Sequence, residues 1–210
     1  MQRIRILYSK GEELLYTGNL DVHKIWERIF RRAELSLAYS QGFHPQPRIH
    51  QACPLPLGFI GENEILDVWL DSDETLDQIR KKLENAQQPG LTIKSLESIP
   101  LSVPALQTLV KAADYLVVIE DHNYSIDIET NIQRFLQKDE CLRERRGKQY
   151  DLLPLVENLT IITGDPSYLT MRLTTLPGAT GRPEELLDEL DIPPYSVPIT
   201  RVNLILNPND

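Results

Sequence analysis

The stretch YSQGFHPQPRIH, Tyr39 to His50, places two aromatic rings, two histidines, two prolines and one arginine within twelve positions. His44 and His50 flank Arg48, and two imidazoles beside a guanidinium could serve as acid, base and phosphate clamp in RNA cleavage. The same side chains could bind an anion without any reaction, or ligate a metal ion. No activated nucleophile, carboxylate pair or phosphate-binding loop is recognisable elsewhere, so catalysis is the least favoured of these uses.

The same loop also has a purely architectural interpretation. Pro45 and Pro47 restrict the backbone, and Gly42 permits a positive φ. Tyr39 and Phe43 would then pack against the core and hold the loop in place. The residue types alone leave binding and architecture both open.

Charge is distributed unevenly along the chain. The net charge is −9, yet residues 1–50 hold eight Lys/Arg against five Asp/Glu, while residues 51–210 hold fourteen against twenty-six. A uniformly acidic surface repels a phosphate backbone, so the composition excludes a protein that coats nucleic acid over its whole surface. We therefore expect any anion-binding face to lie within the first fifty residues.

A helix is predicted immediately before the loop. Apolar residues recur at helical spacing across residues 22–33, and Asn19 or Asp21 is placed to cap the first turn. The outer face of this helix carries three basic side chains, Lys24, Arg28 and Arg31.

This basic face leads into the loop, so we expect it to converge with Arg48 into one patch. The rings of Tyr39, Phe43 and His44 would offer flat surfaces on which bases stack, and that combination is typical of sites for single-stranded nucleic acid. The predicted binding residues are Lys24, Arg28, Arg31, Tyr39, Phe43, His44 and Arg48.

The apolar periodicity and the turn residues of the first half of the chain predict the order strand, helix, strand, strand, helix, strand. Alternation and turn residues predict strands at Arg3–Tyr8, around Arg48–Cys53, at Glu64–Leu70 and at 91–99, and the second helix begins at Asp73 or Glu74. One shared core is predicted for Ile25, Trp26, Ile29, Phe30, Ile65, Val68, Leu76, Ile79 and Leu83.

The second half predicts the same order of elements with different residues. It begins with a strand at Tyr115–Glu120 and a turn at Asp121–Ser125, and it ends with a helix that starts at Pro183 and a strand at Ile199–Leu206. We interpret the chain as α+β, with two tandem ferredoxin-like βαββαβ sandwiches. The first covers residues 1–100 and carries the loop, the second covers 112–210, and 101–111 connects them.

Several classes of protein are not favoured by the sequence. No apolar run approaches the roughly 18 residues that a membrane span needs, and the N-terminus lacks the apolar centre of a signal peptide. We therefore expect a cytoplasmic protein with no membrane partner. Cys53 and Cys141 are the only cysteines, and His23 and His122 add no recognisable metal-ligand spacing, so we expect no bound metal.

Residues 20–64 resemble a known bacterial family. The landmarks are Leu20-Asp21, Glu27, Arg31-Arg32-Ala33, Tyr39-Ser40, Gly42-Phe43, Pro45, Pro47-Arg48, Leu55-Pro56 or Leu57-Gly58, and Glu64. They are similar to those of the radical-SAM-linked domain of unknown function, which is found in bacteria beside or fused to a radical-SAM protein. The sequence departs from that pattern at Gly18-Asn19, where the family often has Ser-His.

This resemblance implies a radical-SAM protein or domain as partner. Such an enzyme holds an iron–sulfur cluster on a C-x-x-x-C-x-x-C motif, and two distant cysteines cannot replace that motif. The chain is then an accessory domain without a cofactor of its own, and the cluster and S-adenosylmethionine belong to the partner. We expect a non-catalytic module that recognises RNA or another anionic substrate.

Two other classes of function stay open. One is an RNA-processing or RNA-modifying enzyme that uses His44, Arg48 and His50, because tandem ferredoxin-like domains occur in CRISPR RNA endonucleases and some pseudouridine synthases. The other is a purely structural interaction domain.

Overall fold

The computed structural model describes residues 1–119, 128–194 and 196–207. The predicted turn at Asp121–Ser125 and His122 lie outside the described residues. The chain divides into two compact units, one formed by Met1–Val110 and Leu206–Asp210 and the other by Lys111–Ile205.

The first unit contains four strands and three helices. In chain order they are β1 (Gln2–Lys10), α1 (Asn19–Arg32), β2 (Ile49–Gln51), β3 (Phe59–Leu70), α2 (Leu76–Asn85), β4 (Leu91–Ile99) and α3 (Leu106–Leu109). The sheet order is β4-β1-β3, with β2 on β3, and the three pairings are antiparallel.

The helix starts differ from the predicted capping residues. Gly18 is the N-cap of α1 and makes no side-chain capping bond, so neither Asn19 nor Asp21 has that role. Helix α2 begins after Thr75, whose side chain accepts from the backbone N–H of Gln78 in a reciprocal capping box. That box places the start of α2 beyond Asp73 and Glu74.

One face of the sheet and one face each of α1 and α2 form the core of the first unit. Ile4, Ile6 and Tyr8 of β1 pack with Leu66, Val68 and Leu70 of β3. Six predicted residues lie in this core and two more pack against it partly buried: Trp26, Ile29, Phe30, Val68, Ile79 and Leu83, then Ile25 and Leu76. Most of the predicted core is therefore confirmed.

Ile65 is the exception, and the strand period explains why. Side chains alternate between the two faces of a strand, so Ile65 points away from Val68 and Leu70. It pairs with Leu7, which also lies between core residues of its strand. The prediction that Ile65 shares the core with Val68 is therefore wrong, because residues an odd number of positions apart on a strand point to opposite faces of the sheet.

The opposite face of the same sheet carries a buried ion cluster. Asp67 is fully buried and accepts hydrogen bonds from Arg3 and Arg5. Arg3 also donates to the carbonyl oxygens of Val103 and Pro104 at 2.6 and 2.9 Å. These bonds hold the start of the predicted connector 101–111 on the sheet, and that segment contains α3 and the first residues of the next strand.

The second unit has seven strands and two helices in its described residues. They are β5 (Val110–Ile119), α4 (Ile128–Leu136), β6 (Leu142–Arg145), β7 (Lys148–Asp151), β8 (Val156–Ile162), β9 (Ser167–Leu176), β10 (Ala179–Thr180), α5 (Pro183–Glu189) and β11 (Ile199–Leu206). Strands β10, β9, β5 and β11 are neighbours in that order, and β8 pairs with β9. Pro183 is the first residue of α5, as predicted.

Strands β6 and β7 form a separate hairpin, which is anchored to α5 by charged side chains. The Arg145 guanidinium donates to both carboxylate oxygens of Glu185 and lies 4.7 Å from the centre of the Tyr150 ring. Arg143 pairs with Asp188 at 2.7 Å. The β6–β7 hairpin is therefore part of the folded second unit.

The chain thus has a mixed α+β fold dominated by antiparallel strand pairs, which confirms the α+β part of the prediction. No helix in the described ranges is long and apolar enough to cross a membrane.

Candidate functional site

The loop between α1 and β2 is a hairpin with a hydrogen-bonded base. Ala38 N–H donates to the carbonyl of Trp69 at 2.8 Å, and Arg48 N–H donates to the carbonyl of Ala38 at 2.9 Å. Above this base Tyr39 bridges to Pro47, and Ser40 N–H donates to the carbonyl of Gln46. Residues 41–46 are all exposed, so a rigid base presents a solvent-facing tip.

The tip exposes the rings that the sequence singled out. Phe43 is fully exposed at 102%, Tyr39 is 45% exposed, and His44 is exposed. Gly42 has a φ of 132°, a region that favours glycine, and it turns the backbone immediately before Phe43. The interpretation in which Phe43 pins the loop to the core is therefore wrong, because the ring has no buried surface.

Arg48 lies at the base of the loop and stacks on a buried tryptophan. Its guanidinium carbon is 4.5 Å from the centre of the Trp69 ring, and that of Arg3 is 5.0 Å from the same ring. The imidazole of His50 is 4.8 Å from it, tilted by 59°. Trp69 thus positions two cations and one imidazole on the outer face of the sheet.

Three guanidinium groups lie near the base of the loop. Arg3, Arg5 and Arg48 contribute three guanidinium groups, and the carboxylate of Asp67 is paired with the first two. The outermost cation, Arg48, is half-buried and has a 3.4 Å contact with the sulfur of Met1. Glu97 of β4 is the cross-strand neighbour of Arg5 and adds a negative charge there, so the cation that an approaching anion meets first is the half-buried Arg48.

The surroundings of His50 favour its neutral form. Burial lowers its pKa below the ordinary value, and the positive charge of Arg48 lowers it further. Its Nδ1 atom is shielded from solvent and has no hydrogen-bond partner within the described residues. These features suit a packed histidine better than an acid or base that must exchange protons with a substrate.

The basic residues of α1 lie elsewhere. Lys24 pairs with Asp21 at 3.5 Å, and Arg31 pairs with Glu27 one turn away. Helix α1 covers the sheet face that carries the core, whereas Arg48 and His50 alternate with the core residue Ile49 and face the other way. The structure brings Tyr39, Phe43, His44 and Arg48 to the hairpin and its base, and leaves Lys24, Arg28 and Arg31 on the outside of the helix layer.

Three residues of this site were missed from the sequence: Arg3, Asp67 and Trp69. The polar residues of β1 and the aspartate within an apolar strand were visible, but their proximity depends on the register Arg3↔Trp69 and His50↔Asp67. The pair Arg3↔Trp69 joins parts of the chain more than sixty positions apart, and both pairs form only when β1, β2 and β3 assemble. No group of three His, Cys, Asp or Glu side chains that could hold a metal ion occurs in the described part of the chain.

Comparison with known families and structures gives one assignment. A model of uncharacterized proteins conserved in bacteria, DUF2344, matches residues 3–183, and the chain therefore belongs to this family. No curated protein matches the sequence.

Two solved structures have weak similarity to the chain. One is a crystal structure of a Cbf5-Nop10-Gar1 complex, at 11% identity and a TM-score of 0.45, covering 87% of this chain and 45% of that chain. This protein thus spans less than half of that chain's length. The other is a "putative glycine cleavage system transcriptional repressor", at 12% identity and a TM-score of 0.30, covering 98% of each chain.

Proposed function

We propose that this DUF2344 protein is a non-catalytic recognition module that binds a single-stranded segment of RNA and presents it to a radical-SAM partner. The observation that carries the proposal is the fully exposed ring of Phe43 on a hairpin whose base holds Arg48 against Trp69. An exposed aromatic ring gains nothing from the fold, and it becomes favourable once a flat ligand covers it.

The chemistry of the hairpin matches a nucleotide strand. A base stacks on the ring of Phe43 or Tyr39, and such stacking contributes about 1–3 kcal/mol per base in single-strand binding proteins. The guanidinium of Arg48 then contacts a phosphate or stacks on the next base. Because its other face rests on Trp69, Arg48 loses little side-chain entropy on binding.

The radical-SAM partner is proposed from the resemblance of residues 20–64. The two cysteines support a division of labour, because Cys53 lies in the first unit and Cys141 in the second. An iron–sulfur cluster needs several thiolates around it. We therefore assign the cluster and S-adenosylmethionine to the partner, and we expect both proteins to meet in the cytoplasm.

We also infer that each unit is a ferredoxin-like sandwich. The first unit supports this with the order strand, helix, strand, strand, helix, strand and the neighbour order β4-β1-β3-β2. In the second unit, β11-β5-β9-β8 would be the corresponding neighbours, with the β6–β7 hairpin as an insertion. The exposed hairpin tip and the half-buried Arg48 at the edge of this sheet would then be the ligand-facing surface.

An RNA-processing enzyme built on His44, Arg48 and His50 is less favoured, because Nδ1 of His50 is shielded and its pKa is lowered. A purely structural interaction domain leaves Arg48 on Trp69 without a function. RNA binding separates the recognition module from the structural domain, and cleavage or modification by this chain alone would favour the enzyme.

The test compares two arginine variants that change charge equally. Arg48→Gln and Arg28→Gln each remove one exposed or half-buried guanidinium, but Arg28 lies on α1 and outside the hairpin. Short single-stranded RNAs are titrated against each variant and Phe43→Ala over a salt series, with and without the co-purified radical-SAM protein. Circular dichroism verifies that each variant is folded.

We expect Phe43→Ala to weaken binding about tenfold or more. Arg48→Gln should also weaken binding and reduce the salt slope by about one. Arg28→Gln should bind like the wild type. Equal losses for Arg28→Gln and Arg48→Gln would show nonspecific attraction to basic residues, and the hairpin would lose its assigned role.

A further inference from the structure

The first unit contains a second feature, a cavity on the helix-covered side of its sheet. The cavity has a volume of about 150 Å³ and lies between α1, α2 and the start of β4. Trp26 and Ile29 of α1, Leu83 of α2 and Leu91 of β4 form its apolar wall. It is separate from the hairpin, because Arg48 and Trp69 lie on the opposite face of the sheet.

The rim of this cavity carries two charges of opposite sign. Arg80 and Glu84 of α2 both line it. They are four positions apart on one helix, a spacing at which opposite charges commonly pair. Among the described residues, neither side chain makes an ion pair or a hydrogen bond with another side chain. Both charged groups are therefore available to a ligand at the rim.

The neighbouring charged residues of the two helices are used differently. Lys82 pairs with Glu74, and Arg32 donates to the carbonyl of Ala86 at the end of α2. Within the described ranges, Arg80 and Glu84 are thus the charged side chains of α2 at the cavity that no side chain neutralises. The indole Nε1 of Trp26, buried in the cavity wall, also lacks a hydrogen-bond partner.

We propose that this cavity binds a free α-amino acid with an apolar side chain. The guanidinium of Arg80 receives the carboxylate, and the carboxylate of Glu84 receives the ammonium group. The apolar side chain of the ligand lies against Trp26, Leu83 and Leu91. The guanidinium and the carboxylate on adjacent turns of α2 match a ligand whose carboxylate and ammonium groups are bonded to the same carbon atom.

The volume limits the size of the side chain. A volume of about 150 Å³ accommodates an apolar group the size of benzene, and Gln87, Gln88 and Thr92 add polar groups to the lining beside the apolar wall. Leucine, isoleucine and phenylalanine side chains fit this limit, while glycine would leave the wall uncovered. The cavity therefore selects by apolar volume as well as by the two charges.

Isothermal titration calorimetry with the full chain tests this assignment. L-leucine and L-phenylalanine should bind, with dissociation constants on the order of 10 µM to 1 mM. Glycine, 4-methylpentanoate and isopentylamine each lack one of the recognised groups, and each should bind at least about tenfold more weakly. Binding should also raise the melting temperature.

Variants assign the two charges separately. Arg80→Gln should weaken leucine binding at least about tenfold and leave the binding of isopentylamine, which has no carboxylate, unchanged. Glu84→Gln should also weaken leucine binding, and it should leave the binding of 4-methylpentanoate, which has no ammonium group, unchanged. Lys81→Gln, next to Arg80 but outside the cavity lining, should change the affinity by less than about twofold.

Three outcomes overturn the proposal. They are no binding of either amino acid at about 10 mM, equal affinity for leucine and 4-methylpentanoate, or wild-type affinity in Arg80→Gln. Because the hairpin lies on the other face of the sheet, RNA binding can be measured in the same variants as a check on folding.

Discussion

Replacement of Asp67 by asparagine should destabilise the first unit severely. The Asp67 carboxylate is fully buried and accepts four hydrogen bonds, from Arg3 at 2.8 and 2.5 Å and from Arg5 at 2.9 and 3.1 Å. Asparagine keeps the shape but removes the charge. It also places an amide donor where a guanidinium donates. Two cations are then left on a covered sheet face without a counter-ion.

The size of the effect follows from burial. A charge-assisted hydrogen bond contributes about 1.5–3 kcal/mol, so four independent bonds would exceed the range of about 3–5 kcal/mol found on breaking a buried pair. The smaller range applies here. Arg3 keeps its bonds to Val103 and Pro104, and Arg5 is 15% exposed and can be hydrated. We expect the free energy of unfolding to fall by about 3–5 kcal/mol.

A matched pair in the second unit provides the control. Asp114 of β5 and Arg172 of β9 are also cross-strand neighbours, at 2.6 and 3.0 Å, but Arg172 is 43% exposed. Asp114→Asn should cost less than about 1 kcal/mol, because water replaces the lost interaction.

Urea unfolding of both variants measures this difference. Circular dichroism follows the strands of both units, and fluorescence follows Trp26 and Trp69, which lie in the first unit. A loss below about 1 kcal/mol for Asp67→Asn, no larger than for Asp114→Asn, would refute the argument that burial sets the strength of the clamp.

Three further predictions follow from groups with shifted pKa values and from the cysteines. Burial and Arg48 lower the pKa of His50, so below about pH 6.5 the unfolded chain binds more protons than the folded chain. The free energy of unfolding should therefore fall as the pH drops through that value. The urea midpoint measured against pH should show this fall, and His50→Gln should reduce it. Burial and the hydrogen bond to Glu185 raise the pKa of Tyr150 to about 12. The free energy of unfolding should therefore fall as the pH rises above 10, the ordinary pKa of tyrosine. In Glu185→Gln, the absorbance of tyrosinate should show that Tyr150 loses its proton at a lower pH than in the wild type. Burial and Glu189 raise the pKa of the Cys141 thiol; a disulfide reagent should therefore label half-buried Cys53 first, and Cys53→Ser should leave only the slow phase.

Local sequence patterns identified much of the fold. The apolar stripe of α1 and the proline at the start of α5 act within one or two turns of helix, so they can be recognised without tertiary information. Which side chains of β3 face the core could not be recognised from the sequence in the same way. Trp69 and Asp67 are buried on its outer face and Val68 and Leu70 on its inner face, so burial does not alternate along the strand.

The site was predictable only in part, for a related reason. The hairpin is a continuous segment with a distinctive composition, and its exposed rings belong to the residues proposed from the sequence. The support beneath Arg48 comes from Trp69 and Arg3, which approach only when β1, β2 and β3 pair. The charges of α1 were visible, but their pairing with Asp21 and Glu27 and their position on the other face required the structure.

The sheet of the first unit separates the two proposed sites, and the alternation of β3 shows how its two faces differ. Val68 contributes to the core beneath α1 and α2, while Asp67 and Trp69 organise the face that carries Arg48. One rigid sheet can support a ligand site on each side, and the two sites share no side chain. The clamp from Asp67 to Arg3 and Arg5 fixes β1 against β3, so it stabilises the base of the hairpin and the sheet beneath the cavity together. Loss of the clamp should thus affect both sites through stability, whereas Arg48 and Arg80 act on one site each.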